Sequence, residues 1–361
     1  MANRASRSQK EWVPPDAATR SAAVGKTLPE HAGLRAAVAG LVAGALVAPL
    51  RKPRASDWLM ANPCGVLDQK GETFDQYCRG ERAGLPPLPS HKRCVVYLCA
   101  VGEAANDGQQ LEQLRRAVGA FFALPCKLAP PLDVSTRRIK SRRHDGERQL
   151  LTSSIYPHLK KAKRAHADAF CVMGITTTDL YPAPSWNFVF GEANPTDGVG
   201  IFSFARYGKA WASKRFWQRS VGTLFHEIGH LFGLQHCVFY QCVMNGSDSL
   251  AESDRHPMHV CPVCLRKLHY ALQHGARRTF EPTERYAELA PALAAVGLTA
   301  EAAWATTAAE RCSATSLVSS DSSDDGSEIG SDESGSDDEA PLAARLAKKR
   351  KRDQKETEQE Q

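Results

Sequence analysis

The sequence predicts an α/β (α+β) fold whose strands and helices surround one helix that carries the candidate functional residues. Four apolar segments rich in β-branched and aromatic side chains have the length of strands. They are residues 94–99, 169–176, 186–193 and 198–205. Three further segments show the apolar spacing of helices. They are residues 111–122, 149–165 and 221–232.

The beginning of the chain is expected to differ from the rest of it. Residues 1–56 predict a poorly ordered leader with one Ala-rich candidate helix at 36–50. That apolar run is shorter than the ~20 residues of a membrane span and starts too late for a signal peptide. A membrane anchor and an organellar transit segment are the weaker alternatives. Residues 57–296 have a globular composition and predict the main folded domain.

The segments between the predicted elements are interpreted as loops and turns. One of them, 132–148, is strongly basic through Arg137, Arg138, Lys140, Arg142, Arg143 and Arg148. A solvated loop is the favoured interpretation, and an anion-binding patch is the alternative. Residues 179–182 predict a turn. Two terminal helices are expected at 265–272 and 284–296, and Pro291 would split the second one.

The helix over residues 221–232 separates an apolar face from a face with metal-binding chemistry. His226 and His230 are four residues apart, so their side chains lie one turn above each other and can bind one ion. Glu227 falls on the same side, beside the first histidine. This pattern predicts a zinc site that has its own carboxylate base. A buried helix with hydrogen-bonded histidines is the alternative.

Gly233 and His236 extend this pattern to a third metal ligand. A glycine can adopt the left-handed conformation that ends a helix, and the chain then turns His236 back towards the metal. Three protein ligands leave the fourth position of zinc to water, whose pKa falls to about 7. Glu227 is then placed to accept the proton of that water and to pass one to a leaving amine. The long signature therefore predicts hydrolytic chemistry.

Four cysteines follow this signature, the first directly after His236, and predict a second zinc site. They are Cys237, Cys242, Cys261 and Cys264. Four thiolates with a Cys-x-x-Cys pair are typical of a closed, structural zinc site. A disulfide pair and a redox-active pair of Cys261 with Cys264 are the alternatives.

The run from His226 to Cys237, together with Met244 and the later cysteines, resembles the archaemetzincin family of metzincin zinc peptidases. The resemblance covers roughly residues 57–296 and implies a zincin catalytic domain. That domain has a twisted mixed β-sheet, an active-site helix and C-terminal helices. The resemblance also implies one catalytic and one structural zinc ion, Met244 as a hydrophobic floor, and an edge strand that binds an extended peptide. It suggests aminopeptidase-like action on small peptides.

Cysteine usage and the tail indicate where the protein resides. Cys94, Cys99, Cys126 and Cys171 lie among apolar residues and are expected to be buried free thiols, which fits a reducing intracellular compartment, cytoplasmic or nuclear. Residues 297–361 hold an Ala-rich segment and a disordered tail. Residues 314–340 contain nine acids, nine serines and no base. The basic cluster Lys348 to Arg352 makes a nuclear-import receptor a candidate partner.

The favoured function is a zinc metallopeptidase that acts on a peptide or protein substrate. The alternative is a catalytically silent, zinc-stabilised binding protein with a nuclear location. A nucleic-acid-linked role ranks lower, because the chain has no recognised nucleic-acid module. Neither a stable nucleic-acid partner nor a membrane partner is expected.

Overall fold

The computed structural model describes residues 12–27, 29, 31–43, 46–54, 56–61, 71–80, 88–135, 139–208, 211, 213–277 and 280–318. Met1–Ser316 form one compact unit and Leu317–Gln361 form a second, of which only residues 317 and 318 are described. The predictions for the tail beyond residue 318, including the basic cluster, therefore lie outside the described residues.

Among the described residues, eight strands form two sheets. They are β1 (Val95–Val101), β2 (Cys126–Leu132), β3 (Ser141–His144), β4 (Glu147–Leu151), β5 (Ala169–Thr176), β6 (Asp179–Tyr181), β7 (Gly191–Asn194) and β8 (Val199–Ser203). The larger sheet has the order β2-β1-β5-β8-β7. Its neighbours are parallel except for β7, which pairs with β8 in the antiparallel sense. The smaller sheet has the order β3-β4-β6.

The helices begin before the predicted domain and continue after it. They are α1 (Ala17–Val24), α2 (Ala32–Ala43), α3 (Trp58–Ala61), α4 (Phe74–Arg79), α5 (Gly108–Phe122), α6 (Thr152–Ala165), α7 (Lys214–Leu231), α8 (Leu250–Ser253), α9 (Pro262–Tyr270), α10 (Pro282–Ala294) and α11 (Thr299–Val318). Over the part of the chain described, no helix combines the length and apolar character needed to cross a membrane.

Strand β1 divides the core into two layers. Successive side chains of a strand point to opposite faces of its sheet. Val96 and Leu98 belong to the larger core, which also contains side chains of α5, α7, α9 and α10. Val95 and Tyr97 belong to a smaller core with α6. Because helices cover both faces, all seven residues of β1 are buried.

Most of the predictions for strongly apolar segments are confirmed. The segments 94–99, 169–176 and 198–205 form β1, β5 and β8, and the segment 111–122 lies within α5. The helix predicted in the leader is α2, which ends at Ala43. The four cysteines that were expected to be buried thiols are buried and form no disulfide, namely Cys94, Cys99, Cys126 and Cys171.

The prediction of a loop at 132–148 is wrong, because β3 and β4 form an antiparallel hairpin there. Its turn consists of Asp145 and Gly146, which adopt φ angles of 51° and 82°. An Asp-Gly pair favours such a tight turn because both residues tolerate positive φ. The hairpin also shortens the helix predicted at 149–165, since residues 149–151 belong to β4 and α6 begins at Thr152.

Three smaller predictions are also wrong. Residues 179–181 form strand β6 rather than a turn, because β4 supplies a parallel partner. The strand predicted at 186–193 begins only at Gly191. Helix α10 continues through Pro291, since buried Leu289 and Leu293 anchor it on both sides of that residue. Strand β2 was not predicted, and its two prolines fit its position at the sheet edge.

The core extends beyond the predicted domain bounds of 57 and 296. Leu34, Ala37 and Leu41 of α2 belong to the same core as Leu298 and Ala305 near the C-terminal end of the unit. The bounds themselves stay predictions.

Candidate active site

Helix α7 presents a pair of histidines to a cleft. Its apolar side is fixed in the core, where the ring of Phe225 stacks on Phe121 with centroids 3.9 Å apart. This rotation leaves His226 and His230 half-buried at the cleft. Their Nε2 atoms are 3.0 Å apart, as expected for neighbours on successive turns.

Gly233 turns the chain back after α7. It adopts the predicted left-handed conformation, with a φ of 81°. The ring centroid of His236 consequently lies 5.2 Å from that of His226 and 5.0 Å from that of His230. The three histidines offer ligand atoms that all lie within 4.8 Å of one another. The structure therefore brings together the three histidines that the sequence singled out.

Backbone carbonyls fix the protonation of the first two rings. The Nδ1 atom of His226 lies 2.8 Å from the carbonyl oxygen of Val243, and that of His230 lies 2.7 Å from the carbonyl oxygen of Leu234. A carbonyl only accepts, so each Nδ1 carries the hydrogen and each Nε2 lone pair faces the other histidines. Burial also lowers the pKa of all three imidazoles to about 3. The neutral form required of a metal ligand is thereby favoured.

Glu227 lies in the same cleft and is only 8% exposed. Burial, with a smaller contribution from the carboxylate of Glu192, raises the pKa of Glu227 to about 8. A bound cation would act in the opposite direction. Gly191 of β7 makes room for this side chain, since a Cβ at Gly191 would lie 2.7 Å from Cγ of Glu227. The predicted base therefore lies directly against the edge strand.

The cleft has a volume of about 750 Å³ and joins the histidines to an aromatic wall. Trp186, Phe188 and Phe190 line it from the segment before β7. Trp186 is 56% exposed. Trp58, from a segment far earlier in the chain, also lines the cleft. The cleft is large enough for several residues of a peptide.

The side chain of Arg142 binds the backbone of the segment that forms the aromatic wall. Its guanidinium donates to the carbonyl oxygens of Pro184 at 2.9 Å and Asn187 at 3.0 Å, and also to that of Trp186. Gln149 donates to the carbonyl of Asn187 at 2.8 Å. Arg142 was predicted to lie in a solvated loop or an anion-binding patch, and the structure instead commits it to these carbonyls.

The four predicted cysteines form one buried cluster. Their sulfur atoms all lie within 4.8 Å of one another, and those of Cys237 and Cys261 are 3.6 Å apart. All four thiols are free. Four sulfur atoms around a tetrahedral zinc would lie about 3.8 Å apart, so the cluster has the size of a zinc site. Cys237 is the next residue after His236, which links the two donor sets directly.

Asn245 organises the loop that carries two of these cysteines. Its Oδ1 accepts from the N–H of Cys242 at 2.8 Å, while its Nδ2 donates to the carbonyls of Cys237 at 2.7 Å and Tyr240 at 3.0 Å. Asn245 is 4% exposed. Sequence reasoning missed this residue, although it is the immediate neighbour of Met244.

Met244 packs against the histidine helix at Gly229, where an added Cβ would lie 2.5 Å from its sulfur. It is fully buried, and its carbonyl accepts from the N–H of Cys237 at 2.8 Å. Sequence reasoning missed Trp58, whose ring contacts His236 with centroids 4.6 Å apart. No local sequence signal links these two residues, since 178 positions separate them.

Both donor sets fit zinc by their chemistry. Neutral imidazole nitrogens with one coordination position left to solvent are typical of catalytic zinc, and four buried thiols are typical of structural zinc. The orientation of the Nε2 atoms by carbonyl groups supports the first fit, and the absence of a disulfide among the described cysteines supports the second.

Comparisons with known proteins identify similar sequences and structures. The model of peptidase family M54 matches residues 111–270. Archaemetzincin-2 of Macaca fascicularis is 37% identical, over 68% of this chain and 74% of that protein. Human archaemetzincin-1 is 31% identical, over 64% of this chain and 51% of that protein. A solved archaemetzincin from Methanopyrus kandleri is 28% identical, covers 51% of this chain and 98% of that chain, and superposes with a TM-score of 0.41.

These relatives define the class as zinc metallopeptidases, which are hydrolases. The chain belongs to the archaemetzincin family.

Proposed function

We propose that this protein hydrolyses peptide bonds at the three-histidine site, with Glu227 as general base and acid. The observation that carries the proposal is the convergence of His226, His230 and His236 beside a buried carboxylate in one cleft. Zinc bound by these histidines would activate a water molecule and polarise the scissile carbonyl. Glu227 would take the proton of the attacking water on its carboxylate and deliver it to the leaving amine.

The edge of the larger sheet supplies a place for the substrate backbone. In the described part of the chain, β7 has a strand partner only on its β8 side. An extended peptide can add to such an edge through main-chain hydrogen bonds. Gly191 of this strand lies against Glu227, so a peptide bound there passes the proposed base.

We propose that the cysteine cluster holds a second, structural zinc ion. All four cysteines of the cluster are buried, and Cys237 adjoins His236 in the chain. A metal bound there would fix the backbone of the third histidine and would contribute to folding.

An aminopeptidase-like preference is a finer part of the proposal, and Glu192 supports it. Its carboxylate accepts from the hydroxyl of Thr152, and no cationic side chain pairs with it within the described residues. Glu192 also lines the cleft beside Glu227. A free α-ammonium group would complete this site. Matched peptides with free and acetylated amino termini test the preference, and equal cleavage of both would exclude it.

The location inside the cell stays a proposal as well. Free buried cysteines fit a reducing cytoplasmic or nuclear compartment. The basic cluster Lys348 to Arg352 supports nuclear import through a receptor.

Glu227→Gln tests the proposed function, because it keeps the shape of the side chain and removes the base. We expect cleavage of a peptide library to fall at least 100-fold, while the zinc content stays that of the wild type. Exposed Glu147→Gln serves as the control and should cleave normally. Undiminished cleavage by Glu227→Gln would contradict the proposal. Wild-type protein that holds zinc but cleaves no peptide would favour the zinc-stabilised binding protein.

A further inference from the structure

The third histidine of the site is held differently from the other two. The Nδ1 atoms of His226 and His230 each contact a backbone carbonyl. Within the described residues, the side chain of His236 makes no such hydrogen bond. It packs instead against the indole of Trp58, with centroids 4.6 Å apart and planes inclined by 77°. The ring of His236 therefore has an aromatic contact, whereas the other two histidines have a carbonyl contact.

Trp58 is itself fixed by a buried carboxylate. Its backbone N–H points between both oxygens of Glu252, at 3.0 Å from Oε1 and 3.1 Å from Oε2. Glu252 is 6% exposed and also accepts from the N–H of Asp248 at 2.9 Å. The preceding residue, Asp57, accepts from Arg255 at 2.6 Å. Two contacts across about 200 positions thus fasten residues 57 and 58 to the loop around α8.

Gly246 also packs closely against the indole. A Cβ at Gly246 would lie 2.6 Å from Cδ2 of Trp58. The loop after Met244 therefore has no side chain at the position that the indole occupies. Trp58 is 6% exposed and its indole packs against both Gly246 and His236, so these contacts restrict its position.

We infer that Trp58 is a positioning residue for His236, and that it acts by restricting the rotation of the imidazole. The inference rests on the proposed role of His236 as a metal ligand. Groups that orient a metal-binding histidine typically change metal affinity 10–100-fold when they are removed. Trp58 lies before residues 111–270, so a segment outside the matched family model completes the site.

The experiment compares four variants of the full chain by zinc affinity and by the visible spectrum of Co²⁺ bound at the histidines. Trp58→Ala should weaken zinc at the histidine site about 10-fold and change the Co²⁺ absorption. Trp58→Phe should restore most of both, because it keeps an aromatic ring at this position. Gly246→Ala should act like Trp58→Ala, since it displaces the indole. Trp186→Ala is the matched control, because that tryptophan lines the same cleft. It should leave the zinc affinity and the Co²⁺ spectrum unchanged.

Unchanged zinc affinity and Co²⁺ spectrum in Trp58→Ala would overturn the inference. If Trp58→Ala does not fold, Trp58→Phe is compared with Gly246→Ala instead. Equal zinc affinities and equal Co²⁺ spectra in these two variants would overturn the inference. Metal held by the cysteines reports that each variant is folded. A folded wild type that binds no metal at the histidines would instead refute the proposed function, so the two failures are distinguishable.

Discussion

The Sδ atom of Met244 occupies the space next to Gly229 on the helix of the histidines. A Cβ added at Gly229 would lie 2.5 Å from this sulfur and 3.1 Å from the Cε atom of the same methionine. Gly222 lies on the same helix, and a Cβ there would meet nothing within 4 Å. The helix thus contains one glycine that close packing requires and one that it does not.

Alanine at these two positions should change stability in opposite directions. Gly222→Ala should raise the free energy of unfolding by about 0.5–1 kcal/mol, since alanine favours a helix interior. Gly229→Ala should lower it by about 1–3 kcal/mol, because Met244 must move in a packed core. Denaturant unfolding measures both changes. Equal effects of the two substitutions would show that Met244 does not pack closely under the helix.

A buried ion pair joins α9 to the segment before α4. The Nζ atom of Lys267 donates to Oε2 of Glu72 at 2.9 Å and to the carbonyl of the same residue at 2.6 Å. The two side chains are only 3% and 2% exposed. Glu72→Gln should destabilise the fold by about 3–5 kcal/mol, because it leaves a buried ammonium group without its counter-charge.

The control for this prediction is the exposed pair of Lys127 with Asp168, whose side chains are 55% and 39% exposed. Lys127→Met should cost less than about 1 kcal/mol in the same unfolding assay. The double variant Glu72→Gln with Lys267→Met should recover part of the stability. If Glu72→Gln lowers the free energy of unfolding no more than Lys127→Met does, the predicted contribution of the buried ion pair is wrong.

Arg142 should control the order of the aromatic wall of the cleft. Arg142→Ala removes the donors to the carbonyls of Pro184, Trp186 and Asn187. Amide hydrogen exchange across residues 184–190 should therefore become faster, and kcat/KM for peptides should fall about 10-fold because the wall is less ordered. Arg143→Ala is the matched control, because within the described residues the side chain of Arg143 donates only to the carbonyl of Gly146 in its own hairpin. Similar amide exchange in both variants would show that the hydrogen bonds of Arg142 do not order the aromatic wall.

His269 should make stability depend on pH. Burial lowers the pKa of His269 to about 4, whereas an unfolded histidine titrates near 6.5. Between these values the unfolded chain binds a proton that the folded chain does not, so stability falls as the pH decreases from about 6.5 to 4. His269→Gln should reduce this slope by up to about 1.4 kcal/mol per pH unit. Exposed His91→Gln is the control, and an unchanged slope in His269→Gln would contradict the assignment.

The parts that the sequence predicts best are those whose partners are close in the chain. His226, His230, Gly233 and His236 lie within eleven positions, so helix geometry together with the turn at Gly233 brings the three histidines together. Asp145 and Gly146 also indicate the tight turn of the β3–β4 hairpin, but the segment was interpreted as a solvated loop between two structured elements.

The contacts that were missed join distant segments. Trp58 reaches His236 and Glu252, and Arg142 reaches the carbonyls at 184–187. These pairings depend on how helices and sheets pack, and neither composition nor periodicity encodes that information. Strand β6 was missed for a related reason, because its pairing with β4 decides its conformation.

The metal content of the purified full chain tests the central claim most directly, with wild type measured beside His230→Ala and Cys261→Ser. The account predicts two zinc ions per wild-type chain. His230→Ala should keep one zinc, remain folded and cleave no peptide, whereas Cys261→Ser should lose the structural zinc and much of its stability. One zinc ion or none in a well-folded wild type would contradict the account.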